Sequence, residues 1–236
     1  MTPKMTAGTE TTDARPVDAA DRMDRMYRWT RHVYDATRRY YLLGRDRMLR
    51  DLADDLPPAS GTTPTVLEVG CGTARNLRRL AELAPAARLY GIDASNEMLD
   101  TARRSLDRSG LPNVTLGQGL AEELDPPAML GISGPFDAVF FSYVLSMIPT
   151  WEAAVDAALN QVRPGGTLTV VDFWDQGDLP GWFRTLLQSW LGLFGVHHRP
   201  ELLTYLQKLD AEGRVDLTLE PVAYRYAYIA RLRIPA

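Results

Sequence analysis

Cysteine is nearly missing from this 236-residue chain: Cys71 stands alone, so no intrachain disulfide can form and nothing calls for an oxidising compartment. Histidine is as sparse. Of three, His197 and His198 are adjacent, a spacing poorly suited to shared ligation on a helix, and with no third ligand evident no metal is expected. An excess of positive charge is also absent: 26 Lys and Arg against 30 Asp and Glu leave a formal net charge of -4, which gives no global electrostatic reason to bind nucleic acid. No stretch approaches the roughly 20 uninterrupted apolar residues of a membrane span. The nearest, 182–196, is broken by Arg184, Gln188 and two glycines. Residues 1–20, rich in Thr, Ala, Asp and Pro, lack the apolar core of a signal peptide and read as a disordered tail. The expectation is a soluble cytoplasmic protein that touches a membrane, if at all, only peripherally at its inner face.

What is present suits one globular domain: 45% of residues are hydrophobic and 24% charged. Residues 21–58 read as a helical cap of two helices, interrupted at Gly44 and stopped by Pro57-Pro58. From 59 to 236 the rhythm changes. A buried strand over 65–69 runs into Gly-Cys-Gly and a helix over 74–83. A second strand over 88–92 ends at Asp93, and Ser95 is suited to cap the next helix, whose inner face carries Met98, Leu99, Ala102 and Leu106. A weaker strand over 113–116, an apolar one over 138–141, a helix over 151–162, a turn at Pro164-Gly165-Gly166 and a strand over 167–171 follow. Such alternation predicts an α/β fold with a mainly parallel sheet, helices on both faces and a ligand site at the carboxyl ends of the strands. After helices near 181–194 and 200–211, segments 215–219 and 223–232 read as an antiparallel strand pair turning at Glu220-Pro221.

The chemistry concentrates in Val66-Leu67-Glu68-Val69-Gly70-Cys71-Gly72-Thr73-Ala74-Arg75-Asn76, a buried strand with an acid just before a glycine turn. Glycines there let backbone approach a ligand that a Cβ would obstruct. A lone Gly-x-Gly is also an ordinary strand-to-helix turn, but two further features accompany it. Asp93 closes the next strand, where its carboxylate can accept from both hydroxyls of a ribose, and Met98 lies one helical turn on, placed to pack on an adenine. Gln118-Gly119-Leu120-Ala121-Glu122 follows the third strand, where an adenine edge would be read.

These steps resemble the class I methyltransferase family, whose first motif has the acid-x-Gly-x-Gly form seen at Glu68, Gly70 and Gly72. The resemblance spans 66–171. It implies a Rossmann-like methyltransferase domain over 59–236 with S-adenosylmethionine as cofactor and S-adenosylhomocysteine as product. It also implies cofactor contacts at Glu68, Gly70, Cys71, Gly72, Asn76, Asp93, Ala94, Met98, Gln118, Gly119, Leu120 and Ser142. The chain departs from the pattern at Ala74, where a third glycine is common, and at Leu120, where many members place an aspartate. Adenine would then be read by backbone, Gln118 or Glu122. A dinucleotide oxidoreductase would use the same turn and acid, but its last fingerprint glycine falls at Arg75.

Three segments carry a narrower resemblance: Tyr34-Asp35-Ala36-Thr37-Arg38-Arg39-Tyr40-Tyr41-Leu42-Leu43-Gly44-Arg45-Asp46-Arg47, Ser142-Tyr143-Val144-Leu145-Ser146-Met147-Ile148-Pro149 and Val171-Asp172-Phe173-Trp174-Asp175-Gln176. They are similar to the bacterial betaine-lipid methyltransferases of the BtaB type, which methylate the amine of diacylglyceryl-homoserine. The resemblance implies Tyr34 and Arg45 at the methionine end of the cofactor, with Arg45 pairing its carboxylate, and Tyr41, Tyr143 and Trp174 at the acceptor. It further implies association with the enzyme that makes the homoserine lipid. Tyr143 is the candidate catalytic residue, through its hydroxyl or its ring face, against the plain alternative that it only packs on the cofactor. Arginines and tyrosines interleave from Arg22 to Arg50, as at an anionic interface or on a solvated helix covering the site. Trp182, Phe183, Leu186, Leu187, Trp190, Leu191 and Phe194 recur near helical spacing, to wall an acyl chain or simply to fill a core. A methyltransferase for a soluble metabolite and a non-catalytic cofactor- or partner-binding module remain as alternatives.

Overall fold

A computed structural model describes residues 42–57, 61–132, 134–178, 181–182, 185–186 and 199–236. The tail over 1–20, most of the cap over 21–58, Tyr34, Tyr41, His197, His198 and most of the stripe from Trp182 to Phe194 lie outside the described residues. The elements are α1 (Arg45–Asp55), β1 (Thr65–Val69), α2 (Arg75–Leu83), β2 (Arg88–Asp93), α3 (Asn96–Ser109), β3 (Val114–Gln118), α4 (Pro126–Leu130), β4 (Phe136–Ser142), α5 (Trp151–Leu159), β5 (Val162–Phe173), α6 (Pro200–Ala211), β6 (Asp216–Val222) and β7 (Ala227–Arg233).

Seven strands form one sheet in the order β3-β2-β1-β4-β5-β7-β6. The first five are parallel, and β7 runs antiparallel to both β5 and β6. β1 lies at the centre because both its faces are apolar: Val66 joins the core beneath α1, α2 and α3, while Leu67 and Val69 join the core beneath α5 and α6. β2 and β4 flank it, so the chain reverses direction of progression between β1 and β4. That switch point opens a crevice at the strands' carboxyl ends. Ser95 caps α3 by accepting from the Met98 N–H, and Met98, Leu99, Ala102 and Leu106 are the residues it buries.

Several boundaries differ from the sequence expectation. Pro164-Gly165-Gly166 does not precede a strand but sits within β5 as an irregularity opposite Phe136 to Ala138. Gly166 is required there, since a Cβ would lie 2.8 Å from the Asp137 carbonyl oxygen. The helix expected over 151–162 ends at Leu159, because Val162 opens β5. Glu220-Pro221 is not the C-terminal turn. Both residues lie in edge strand β6, where proline's missing N–H is tolerated, and the turn is made by Ala223, Tyr224 and Arg225, all with positive φ.

Candidate active site

The crevice is built from the carboxyl end of β1. There the N–H groups of Gly70 and Cys71 both donate to the Ile92 carbonyl at 2.9 Å, folding the chain back against β2. Gly70 has φ +75°, and a Cβ on it would come within 2.5 Å of Val144 Cγ2, so the turn is bare because the loop after β4 presses on it. Ala74, at the position where the resemblance leads one to look for glycine, does adopt the left-handed conformation, φ +59°, just before α2. Alanine therefore holds a backbone shape that glycine takes more readily.

Asp93 ties the turn to the next strand. Its two carboxylate oxygens accept from the Gly72 N–H at 2.7 Å and the Ser95 N–H at 2.9 Å. Glu68 is buried on the face of β1 that bears Val66, and its carboxylate accepts from Asn76 Nδ2 at 2.7 Å. The Cys71 thiol is buried, and burial, reinforced by the Asp93 and Glu68 carboxylates, pushes it well above its usual range. It stays protonated and contributes backbone rather than nucleophilic chemistry.

A cleft of about 550 Å³ opens over this turn, lined by Arg45, Glu68, Gly70, Cys71, Gly72, Asn76 and Ser142 among the expected residues. Ser142 Oγ is buried and has no hydrogen-bond partner among the described residues. Arg45 enters from the start of α1, buried, with its Nε donating to the Leu42 carbonyl at 3.2 Å. Asp93 and Ala94 stand at the carboxyl end of β2, Met98 in the first turn of α3, and Gln118, Gly119 and Leu120 at the carboxyl end of β3; none of the six lines this cleft. Gln118 donates to the Ala94 carbonyl at 3.2 Å, and Leu120 is exposed. The glycine at 119 has a packing reason rather than a ligand one, since a Cβ would lie 2.3 Å from Met129 Sδ. Glu122 accepts from Thr150 Oγ1 at 2.8 Å, so one of its oxygens already serves the loop before α5.

Tyr143 follows β4 with φ +57°, nearly inaccessible, its ring edge-on to Phe173 at 4.7 Å. Its hydroxyl donates to the Leu43 carbonyl. Burial, then the neighbouring Tyr226 and Asp172, raise it well above the ordinary tyrosine range. The side chain thus anchors the chain immediately before Gly44 and Arg45. Trp174 is half-buried under the Arg225 guanidinium, 4.9 Å above its ring, and edge-on to Tyr228. Tyr143 and Trp174 therefore make protein contacts with the ring surfaces proposed for the acceptor.

Asp172 is the residue the sequence reading passed over. It is fully buried at the end of β5, accepting from the Phe173 N–H at 2.8 Å and the Ser146 N–H at 3.0 Å. Desolvation raises it to about 6, against the opposing pull of those N–H groups, the Ser146 hydroxyl and Arg199. An acid closing a buried strand is the same signal that marked Glu68 and Asp93, and it was present in Val171-Asp172-Phe173. Through Ser146 it holds the loop whose Val144 backs Gly70.

An acid on each of two adjacent strands, a glycine turn joining them and an orphaned buried hydroxyl fit a ligand that combines an amino acid with a nucleoside. The sheet order and site define the Rossmann-like fold of class I methyltransferases. Residues 66–166 match the family described as "Methyltransferase domain". The chain is 32% identical over 126 residues to a trans-aconitate 2-methyltransferase of Azoarcus sp. (strain BH72), covering 53% of this chain and 45% of that protein. It is 32% identical over 134 residues to a demethylmenaquinone methyltransferase of Listeria welshimeri, covering 55% and 54% respectively. The chain thus spans about half the length of these relatives. A solved structure of an S-adenosylmethionine-dependent methyltransferase from Aquifex aeolicus superimposes with a TM-score of 0.57 at 17% identity, covering 89% of this chain and 97% of that one. At that identity the likeness concerns the fold.

Among the described residues no helix is long and apolar enough to cross a membrane, and no group of three or more His, Cys, Asp or Glu could hold a metal ion.

Proposed function

We propose that the protein is an S-adenosylmethionine-dependent methyltransferase. The observation that carries this reading is the pairing of Glu68 and Asp93 across the glycine turn, with the Gly72 N–H held by Asp93, at the β1/β4 switch point. Glu68 would hold the ammonium of the cofactor, Asp93 its ribose hydroxyls and Arg45 its carboxylate. When bound, the cofactor supplies an electrophilic methyl group on a sulfonium. The protein's part is positional: the crevice orients donor and acceptor and excludes water, and few side chains need take part in bond making. An amine acceptor must enter neutral, and the ammonium formed by one transfer must give up a proton to solvent before the next.

For the acceptor we propose the amine of diacylglyceryl-homoserine, methylated to the betaine lipid, with the enzyme that makes the homoserine lipid as functional partner. Support comes from the three segments quoted above and from Trp182 and Leu186. These lie four residues apart in helical backbone and are 73% and 61% exposed, as a surface meeting acyl chains would be. A soluble acceptor is the second reading, favoured by the likeness to a trans-aconitate methyltransferase and by a cleft rich in polar side chains. Incubation of the protein with methyl-labelled cofactor and diacylglyceryl-homoserine is expected to place label in the lipid fraction. Label confined to the water-soluble products of a metabolite extract would reject the lipid and retain the methyltransferase.

A further inference from the structure

The cleft extends beyond Glu68 and the glycine turn into a second wall, made by α2 and α3, that the cofactor contacts leave unused. Arg78 of α2 and Arg108 of α3 line it, with the hydroxyls of Thr101 and Ser105 between them. The whole cleft carries Arg45, Arg75, Arg78 and Arg108 against only Asp46 and Glu68. Asp46 is taken by Arg75 at 2.9 Å, and Glu68 accepts from Asn76 at 2.7 Å. Arg78 and Arg108 therefore face the space with no carboxylate partner among the described residues, in a protein whose net charge is -4.

Arg78 is the sharper observation. One guanidinium nitrogen donates to Ser105 Oγ at 3.1 Å, but its Nε is buried and has no hydrogen-bond partner among the described residues. A buried cationic donor without an acceptor is costly, and such a group is ordinarily completed by an anion. Guanidinium groups meet carboxylate and phosphate oxygens in a fixed fork, which suits them to that task better than a diffuse surface charge.

We propose that the α2/α3 wall is an oxyanion subsite that receives a carboxylate or phosphate group of the methyl acceptor, with Arg78 and Arg108 as its ligands. This rests on reading the inner part of the same cleft as the methyl-donor site. The subsite makes an anionic acceptor the preferred class, and it acts by fixing the acceptor beside Gly70 and Gly72 rather than by taking part in transfer.

The test is calorimetric titration of citrate and of inorganic phosphate into the full chain at low ionic strength, with and without saturating S-adenosylhomocysteine. Citrate tighter than phosphate assigns the subsite to carboxylates, and the reverse assigns it to phosphates. Arg78→Gln combined with Arg108→Gln is expected to weaken the preferred anion about tenfold or more while S-adenosylhomocysteine still binds. Arg108→Gln alone, at an exposed position, should weaken it about threefold, and Arg78→Lys should recover only part of the loss. Arg233→Gln, exposed on β7 on the other side of the sheet, should change nothing. Equal weakening by Arg233→Gln, or unchanged anion affinity in the double variant, overturns the subsite even if S-adenosylhomocysteine binds. Loss of anion binding in a protein that never binds S-adenosylhomocysteine keeps the subsite and rejects the donor reading.

Discussion

Replacing Asp172 by Asn should make the stability difference between the two proteins depend on pH in a direction fixed by burial. The carboxyl is lifted from 3.8 to about 6 because desolvation outweighs the two N–H groups, the Ser146 hydroxyl and Arg199. Its folded-state value thus lies above the unfolded one, so the folded protein binds the proton more tightly and the native state is favoured by protonation. The contribution is fully present below about pH 4 and is lost as pH rises through about 6. Converted at 1.36 kcal/mol per tenfold change, the ionised carboxylate costs about 3 kcal/mol at neutral pH, of which about 2 kcal/mol falls between about pH 4.5 and about pH 8. Asparagine does not titrate, and it keeps one carbonyl oxygen for either the Phe173 or the Ser146 N–H while leaving the other short of an acceptor, a cost of about 1–3 kcal/mol. Other groups titrate alike in both proteins and cancel. Urea unfolding across this range should show the wild type ahead at acid pH and its lead shrinking by about 2 kcal/mol, to closure or reversal, by about pH 8. A difference that stays level, or that widens with rising pH, would refute the account of Asp172 as an acid held against its desolvation.

Two further substitutions probe the walls of the crevice. Tyr143→Phe removes the hydroxyl that donates to the Leu43 carbonyl and should cost about 1–2 kcal/mol in urea unfolding. It should also slow labelled-methyl turnover while leaving S-adenosylhomocysteine affinity nearly intact, and an unchanged rate would remove any functional role for the hydroxyl. Gly70→Ala meets both a left-handed backbone and Val144 Cγ2 at 2.5 Å, and should destabilise by about 2–4 kcal/mol. Adding Val144→Ala should restore part of that loss, whereas a double variant no more stable than Gly70→Ala would mean that the backbone conformation alone sets the cost.

Where side-chain pattern and burial agree, the sequence was legible. β1, the α3 cap at Ser95 and the four buried residues of α3 follow from an apolar run, a hydroxyl before a helix and a 3.6-residue spacing. The boundaries that misled involve proline and glycine, which mark both turns and strand irregularities. Pro164-Gly165-Gly166 proved internal to β5, and Pro221 lies on an edge strand while three residues without glycine character make the turn. The placing of Glu68, Gly70, Gly72 and Asp93 at the ends of β1 and β2 and in the turn between β1 and α2 was readable, because an acid or a glycine ends each apolar run. The tether from Tyr143 to Leu43, 100 residues apart in sequence, was not, since no local pattern reports a hydroxyl meeting a distant carbonyl. Nor was the grouping of Arg78 with Arg108, because it exists only once α2 and α3 pack side by side.

The central claim is that the turn after β1 and the acid closing β2 together hold an adenosyl amino acid. Isothermal titration of S-adenosylhomocysteine into the wild type and into Asp93→Ala measures it directly. The account predicts saturable binding at one site per chain, weakened about 10- to 100-fold when the Asp93 carboxylate is removed. No heat of binding to the folded wild type, or equal affinity in the variant, would contradict it.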